Sequence, residues 1–254
     1  MAGDEHMNLK RAEKTAMKAA RAAGELMRRN LRSIKTINSA TQHDIKLELD
    51  VRCQKRIERM LRSAFPSIAV LGEEGVLGDT ESECRWVVDP IDGTVNFTYG
   101  IPHACVSIAL QMRNAERGGR NSPAKQAQAV DFGEVYQTLV GVVYDPFCDE
   151  LWTAIRGGRA YLNGTVIHVS DRSRLYEAIV SIGFAKYKSS LNQMIPVLNR
   201  MVHRVRKIRI MGSAALAMTS SGQPKSGKPC PRFTAACCVA SRDMRSNTLV
   251  FICS

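Results

Sequence analysis

The sequence predicts an α/β protein, and three observations predict it. Residues 8–32 repeat apolar side chains at helical spacing between lysines and arginines. Later come short runs rich in Val, Ile and Leu, bounded by Gly, Pro or polar residues, as strands are. Two of those runs, SIAVLGEEG (67–75) and CRWVVDP (84–90), end in acids. Such ends suit a sheet that presents ligands at the carboxyl ends of its strands.

The elements follow in order. In the first helix Leu9, Ala12, Ala16, Ala19, Ala23, Leu26 and Met27 make one apolar stripe. DIKLELDVRCQKRIERMLRSAF (44–65) predicts a second helix, stopped by Pro66, with Asp50 set among Leu47, Val51 and Ile57. The two acid-ended strands come next, then HACVSIALQM (103–112). RNAERGGRNSPAKQAQ (113–128) is polar, basic and broken by Gly and Pro, and it predicts a surface loop inserted between strands. TLVGVVYDPF and ELWTAI resume the sheet, and Asn163-Gly164 marks a hairpin turn. AIVSIGF predicts a strand, LNQMIPVLNRMVHRV a helix, and KIRIMGSAALAM a strand passing through Gly212 into a helix.

Composition sets bounds on function. At 254 residues, with 44% hydrophobic and 24% charged residues, the chain can bury a sizeable core. No apolar run reaches the roughly 20 residues that span a bilayer, so no membrane role is expected. The start, MAGDEHMNLKRAEK, lacks the apolar stretch of a secretory signal, and a cytoplasmic site is expected. The eight cysteines show no CxxC spacing, which disfavours both a disulfide framework and a zinc site. The formal charge of +12 is spread along the chain without interleaved aromatics. That pattern suits a surface attracting anionic small substrates, and no nucleic-acid partner is expected.

The chemistry concentrates in WVVDPIDGTVNF (86–97). Asp89 and Asp92 stand three residues apart, after an apolar strand, with Pro90 between them and Gly93-Thr94 following. Like charges this close repel unless a cation lies between them. Glu73 and Glu74 end the neighbouring run, so four carboxylates are expected at one end of the sheet. Oxygen ligands without His or Cys select a hard cation, Mg²⁺ first. The Ile91 carbonyl adds a neutral donor, and the N–H groups opening a helix at Gly93-Thr94 suit a phosphate. Glu74 either tunes Glu73 or faces solvent, and His43 and His103 are assigned structural roles.

LGEEG, WVVDPIDGTVNF, GVVYDP…ELWTAIRGGRAYLNG and RIMGSAALAM together resemble the inositol monophosphatase family over residues 8–218. The resemblance implies an αβαβα layered fold and a Mg²⁺-dependent, lithium-sensitive phosphatase acting on a small phosphorylated polyol or sugar. Inositol monophosphate is the leading substrate. It places one Mg²⁺ on Glu73, Asp89 and the Ile91 carbonyl and a second on Asp89 and Asp92, with Glu73 helping to position a third ion or its water. Asp50 and Thr94 would orient or deprotonate the attacking water, with Glu73 assisting catalysis. Gly93 and Thr94 would bind phosphate, Gly212, Ser213 and Ala214 would line the substrate, and a homodimer is implied.

The chain also departs from the family. A later Trp-Asp-Ala-Ala-Gly-like motif, whose Asp completes the second metal site, is not found, nor is an upstream acid that contacts substrate hydroxyls. Residues 219–254 instead carry half of the cysteines and almost no acids. They are expected to form a divergent, poorly ordered tail on an incomplete domain (1–218), as a shifted reading frame or splice junction would produce. The alternative to a working phosphatase is therefore a weakly active or non-catalytic member that still binds Mg²⁺.

Overall fold

A computed structural model describes residues 8–40, 45–79, 82–114, 135–169, 173–183, 188–220, 222–224 and 249–253. His43, the basic segment beyond Asn114 and most of the 219–254 tail lie outside those residues.

Helix α1 (Leu9–Asn30) starts at Asn8, whose Oδ1 accepts the Arg11 N–H at 3.0 Å. Its buried face is almost all alanine: Ala12, Ala16, Ala19, Ala20 and Ala23, with Gly24 and Met27. Small side chains let the helix axis approach the sheet closely. At Gly24 a Cβ would stand 2.6 Å from the Tyr144 ring, so even alanine would force the helix outward. A short hairpin follows, β1 (Ile37–Ala40) with β2 (Ile45–Leu47).

The second helix begins later than the sequence suggested. Residues 45–47 are β2, and α2 spans Glu48–Ala64. The Asp50 carboxylate decides the boundary, because its Oδ2 accepts the Leu47 N–H at 2.8 Å and closes the first turn. Ile57 and Leu61 of α2 are wholly buried, each contributing about 1.5–3 kcal/mol on transfer out of water.

A nine-stranded sheet forms the centre. Its strands are β3 (Ala69–Gly72), β4 (Gly75–Leu77), β5 (Cys84–Asp92), β6 (Cys105–Arg113), β7 (Tyr136–Asp145), β8 (Glu150–Ile155), β9 (Ala160–Leu162), β10 (Thr165–Val169) and β13 (Gly222–Pro224). They lie in the order β13-β10-β9-β8-β7-β6-β5-β3-β4. Only β3 and β5 run parallel; every other pair in this sheet is antiparallel. Short turns explain this. Asn163 (φ 49°) and Gly164 (φ 80°) close the β9–β10 hairpin, and two-residue connections can join only antiparallel strands.

One face of the sheet packs on α1 and α2 through Trp86, Val88, Ile108, Leu110, Val140 and Val142. The other face offers Cys105, Val143, Trp152 and Ala154 to Ala215 and Leu216 of a short helix, α5 (Ala214–Thr219). Beyond it lies a three-stranded sheet of β11 (Ile179–Gly183), β12 (Lys207–Arg209) and β14 (Leu249–Cys253). Helix α4 (Lys188–Val202) packs there, burying Met194 with Ala178, Val180 and Ile182. The succession is αβαβα. Two pieces of the 219–254 region take part in it, β13 beside β10 and β14 beside β11.

Candidate functional site

The two aspartates of β5 sit three residues apart, which in a regular strand puts them on opposite faces. The register prevents that. Asp89 pairs with Ser107 and Asp92 with Cys105, so β5 spends three steps where β6 spends two. The extra residue is a bulge, and it falls where Pro90 has no N–H to give the ladder. Both carboxylates therefore emerge on the face that carries Cys105 and α5.

Beyond the bulge, Gly93 takes φ 95°, and a Cβ there would lie 3.0 Å from the His103 carbonyl. That turn opens α3 (Thr94–Thr98). The Thr94 hydroxyl donates to the Ile91 carbonyl at 2.8 Å, which leaves that oxygen a second lone pair. Asn96 donates from Nδ2 to both the His103 and the Met211 carbonyls, at 2.9 and 2.8 Å. Gly212 (φ 78°) passes so close that a Cβ would sit 2.9 Å from Asn96 Nδ2. Asn96 thus ties the DGT turn to the strand-to-helix segment that leads into α5.

Ser213, 3% exposed, begins α5 and faces Asp92 rather than an open cleft. Its Oγ donates to Asp92 Oδ2 at 2.5 Å, and the same oxygen accepts the Ala215 N–H at 2.8 Å. Asp92 Oδ1 accepts the Ala214 N–H at 3.3 Å. Of the three residues expected to line the substrate, Gly212 is exposed, Ala214 is half-buried and Ser213 is buried. The Cys105 thiol donates to Asp92 Oδ2 at 3.7 Å, and burial, then the Asp92 charge, pushes that thiol well above its ordinary range.

Glu73 and Glu74 form the two-residue loop between β3 and β4, and Glu73 N–H donates to the Val88 carbonyl at 3.2 Å. Because β3 and β5 are parallel neighbours, the glutamates and aspartates share one end of the sheet, as expected. The electrostatics show their proximity. Burial first, then the charges of Asp92, Glu73 and Asp50, push the Asp89 carboxyl well above the usual carboxylate range; the Ile91 N–H works the other way.

A hard divalent cation fits this donor set chemically, since the donors are all oxygen and Asp89 is held against three like charges. The set is not gathered into a finished cage. Among the described residues no three His, Cys, Asp or Glu surround one point, and Asp92 is turned onto α5. Asp50 is 3% exposed on α2, and its charge reaches Asp89. Its Oδ2 holds the Leu47 N–H, while the Thr94 hydroxyl holds the Ile91 carbonyl.

Two residues outside the sequence expectations belong here, Asn96 and Gln54. Gln54 is 4% exposed and holds the Glu73–Glu74 loop from α2. The only sequence signal for Gln54 was its place one helical turn after Asp50.

Acids thus gather at one end of a layered α/β sheet, beside the start of α3. The comparisons name the family. Residues 8–119 and 133–224 match the model of the inositol monophosphatase family, and the chain belongs to it. That is a family of phosphatases, and its members are generally metal-dependent. The break in the match begins inside the basic segment 113–128 and runs past its end. Inositol monophosphatase 2 of Solanum lycopersicum is 36% identical over 208 residues, covering 79% of this chain and 70% of the relative. Nus factor SuhB of Xylella fastidiosa is 33% identical over 203 residues, covering 79% and 66%. The solved structure of inositol monophosphatase from Anabaena (Nostoc) superposes with a TM-score of 0.66 at 28% identity, covering 84% of this chain and 71% of that one. No helix among the described residues is long and apolar enough to cross a membrane.

Proposed function

We propose that the chain hydrolyses a small phosphate monoester, inositol monophosphate before others, with Mg²⁺ as cofactor. The observation that carries this is the bulge in β5, which sets Asp89 and Asp92 on one face beside Glu73 and Asp50. Glu73, Asp89 and the Ile91 carbonyl would hold one ion; Asp89 and Asp92 would hold a second. Bound there, Mg²⁺ lowers the pKa of a ligated water and neutralises charge on the phosphoryl and leaving oxygens. The chain's own part is positional. The N–H groups of Gly93 and Thr94 receive the phosphate oxygens at the start of α3. Asp50, with the Thr94 hydroxyl accepting a hydrogen bond, would orient a water in line with the scissile P–O bond. Asp50 would take its proton as the new O–P bond forms and the P–O bond to the alcohol breaks, the departing alkoxide being protonated by solvent water. Glu73 would also help to position a third ion or its water. Gly212, Ser213 and Ala214 border the polyol. The homodimer and the cytoplasmic compartment belong to the same proposal.

A second reading has a specific observation behind it. Ser213 and two α5 amides already occupy Asp92, which suits a member that binds Mg²⁺ at Asp89 and turns over slowly or not at all. The relatives carry two kinds of name, inositol monophosphatase and Nus factor SuhB, so membership alone does not choose the substrate. The test is phosphate release from inositol monophosphate by the purified chain across a Mg²⁺ series, beside Asp89→Asn. Release that rises with Mg²⁺ and disappears in the variant supports the first reading. Mg²⁺ binding to a folded chain without release supports the second.

A further inference from the structure

We propose that Gln54 is a positioning residue that holds the Glu73–Glu74 loop in the geometry its carboxylates need for a divalent cation. This rests on the metal reading of the site given above. The loop itself poses the problem. Gly72 pairs with Gly75, so Glu73 and Glu74 alone make the turn of the β3–β4 hairpin. Two-residue hairpins favour Asn-Gly or Gly-X, because their central residues need positive φ to match the strand twist. Neither glutamate is among the described residues with positive φ, and adjacent carboxylates repel. Local sequence therefore disfavours this turn, and such violations collect at functional sites.

Gln54 supplies the missing support. Its side chain reaches across from α2 and engages the backbone on the C-terminal side of the loop. Oε1 accepts the Glu74 N–H at 2.8 Å, and Nε2 donates to the Gly75 carbonyl at 3.2 Å. At Gly72, a Cβ would overlap the same amide group, so only glycine lets the two pack. Glu58, one helical turn further on, accepts from Nε2 at 2.8 Å. That bond fixes which way the amide points, since the opposite flip would set an oxygen against a carboxylate. Asp50 and Gln54 lie four residues apart, and both are buried, so one stripe of α2 carries an acid of the site and the clamp of its loop. On the far side, Glu73 N–H is tied to the Val88 carbonyl, the residue before Asp89. Between these two ties, Gln54 sets the distance from the loop to Asp89.

The test uses the full chain, with Mn²⁺ as the probe, in wild type, Gln54→Leu and Gln54→Asn. Leu removes all three bonds at similar volume; Asn keeps the amide but draws it back by one methylene. Free Mn²⁺ is read by electron paramagnetic resonance and the Glu74 amide by hydrogen exchange, with thermal melting as the folding control. Both variants are expected to bind Mn²⁺ roughly tenfold or more weakly. The Glu74 amide should exchange faster while α2 keeps its protection. If the chain is active, the Mg²⁺ concentration for half-maximal rate should rise by the same factor, with kcat at saturating Mg²⁺ within about twofold of wild type. A purely structural glutamine would lower the melting temperature and leave Mn²⁺ affinity alone, and that result overturns the inference. If Gln54→Leu fails to fold, Gln54→Asn decides. A wild type that binds no Mn²⁺ refutes the metal reading and the inference together, whereas equal binding by wild type and variant refutes only the role of Gln54.

Discussion

Replacing Ser213 by alanine removes a helix cap, a bond to Asp92 and a long contact with the Cys105 thiol, and the structure allows the first two to be sized. Ser213 Oγ accepts the Leu216 N–H at 3.3 Å, which caps α5, and donates to Asp92 Oδ2 at 2.5 Å. Loss of a Ser cap costs about 1 kcal/mol. A hydrogen bond to an ionised group is worth about 1.5–3 kcal/mol, but the Ala215 N–H remains on the same oxygen and keeps the loss near the lower bound. Together the expected destabilisation is about 2–3 kcal/mol, or roughly 5–10 °C in Tm for a domain of this size. Thermal melting followed by circular dichroism measures it, with urea unfolding as the second probe. Ser213→Thr keeps the hydroxyl and should recover most of the loss. A Ser213→Ala chain within about 0.5 kcal/mol of wild type, the range of surface substitutions, would refute the clasp between Asp92 and α5.

Asp89 predicts an unusual pH dependence without divalent cations. Its folded pKa is raised, so the stability it contributes is present below the unfolded value of about 4 and is lost as pH rises through the folded value. Urea unfolding across pH should show that fall in wild type and not in Asp89→Asn, and Mg²⁺ should restore the wild type; a fall of equal size in both chains would refute it. Gly212→Ala places a Cβ against Asn96 at φ 78° and should cost about 1–2 kcal/mol, read by melting, together with a higher KM for inositol monophosphate if the chain is active. A Gly212→Ala chain that melts with wild type would contradict the tie made by Asn96. Among Cys53, Cys84, Cys105 and Cys148, alkylation of the native chain at pH 8 should reach exposed Cys148 before Cys53, whose buried thiol is pushed up to about 12 by burial and then by the Asp50 charge. Peptide mass mapping that found Cys53 modified first would show that the α1–α2 layer opens.

The sequence by itself determined the family, the first helix and the acids, because each is written in local pattern. Alanine spacing over 8–32 specifies a helix that packs closely, and GEEG with DPIDGT names the carboxylates and the turn that follows them. Asn163-Gly164 likewise settled its hairpin, since only the two backbone conformations matter there. Tertiary structure decided what those residues face. Nothing local places Asp89 and Asp92 on one face; the pairing of Asp89 with Ser107 and of Asp92 with Cys105 does, through a bulge that exists only when β6 lies alongside. Nothing local turns Asp92 onto Ser213, 121 residues away. Gln54 reads in sequence as one more polar helix position, and it meets the site because α2 lays it against the Glu73–Glu74 turn. Spacing along the chain reports what a residue can do, but proximity across the fold decides what it does, because charge and hydrogen bonding act through space and are strongest where water is excluded.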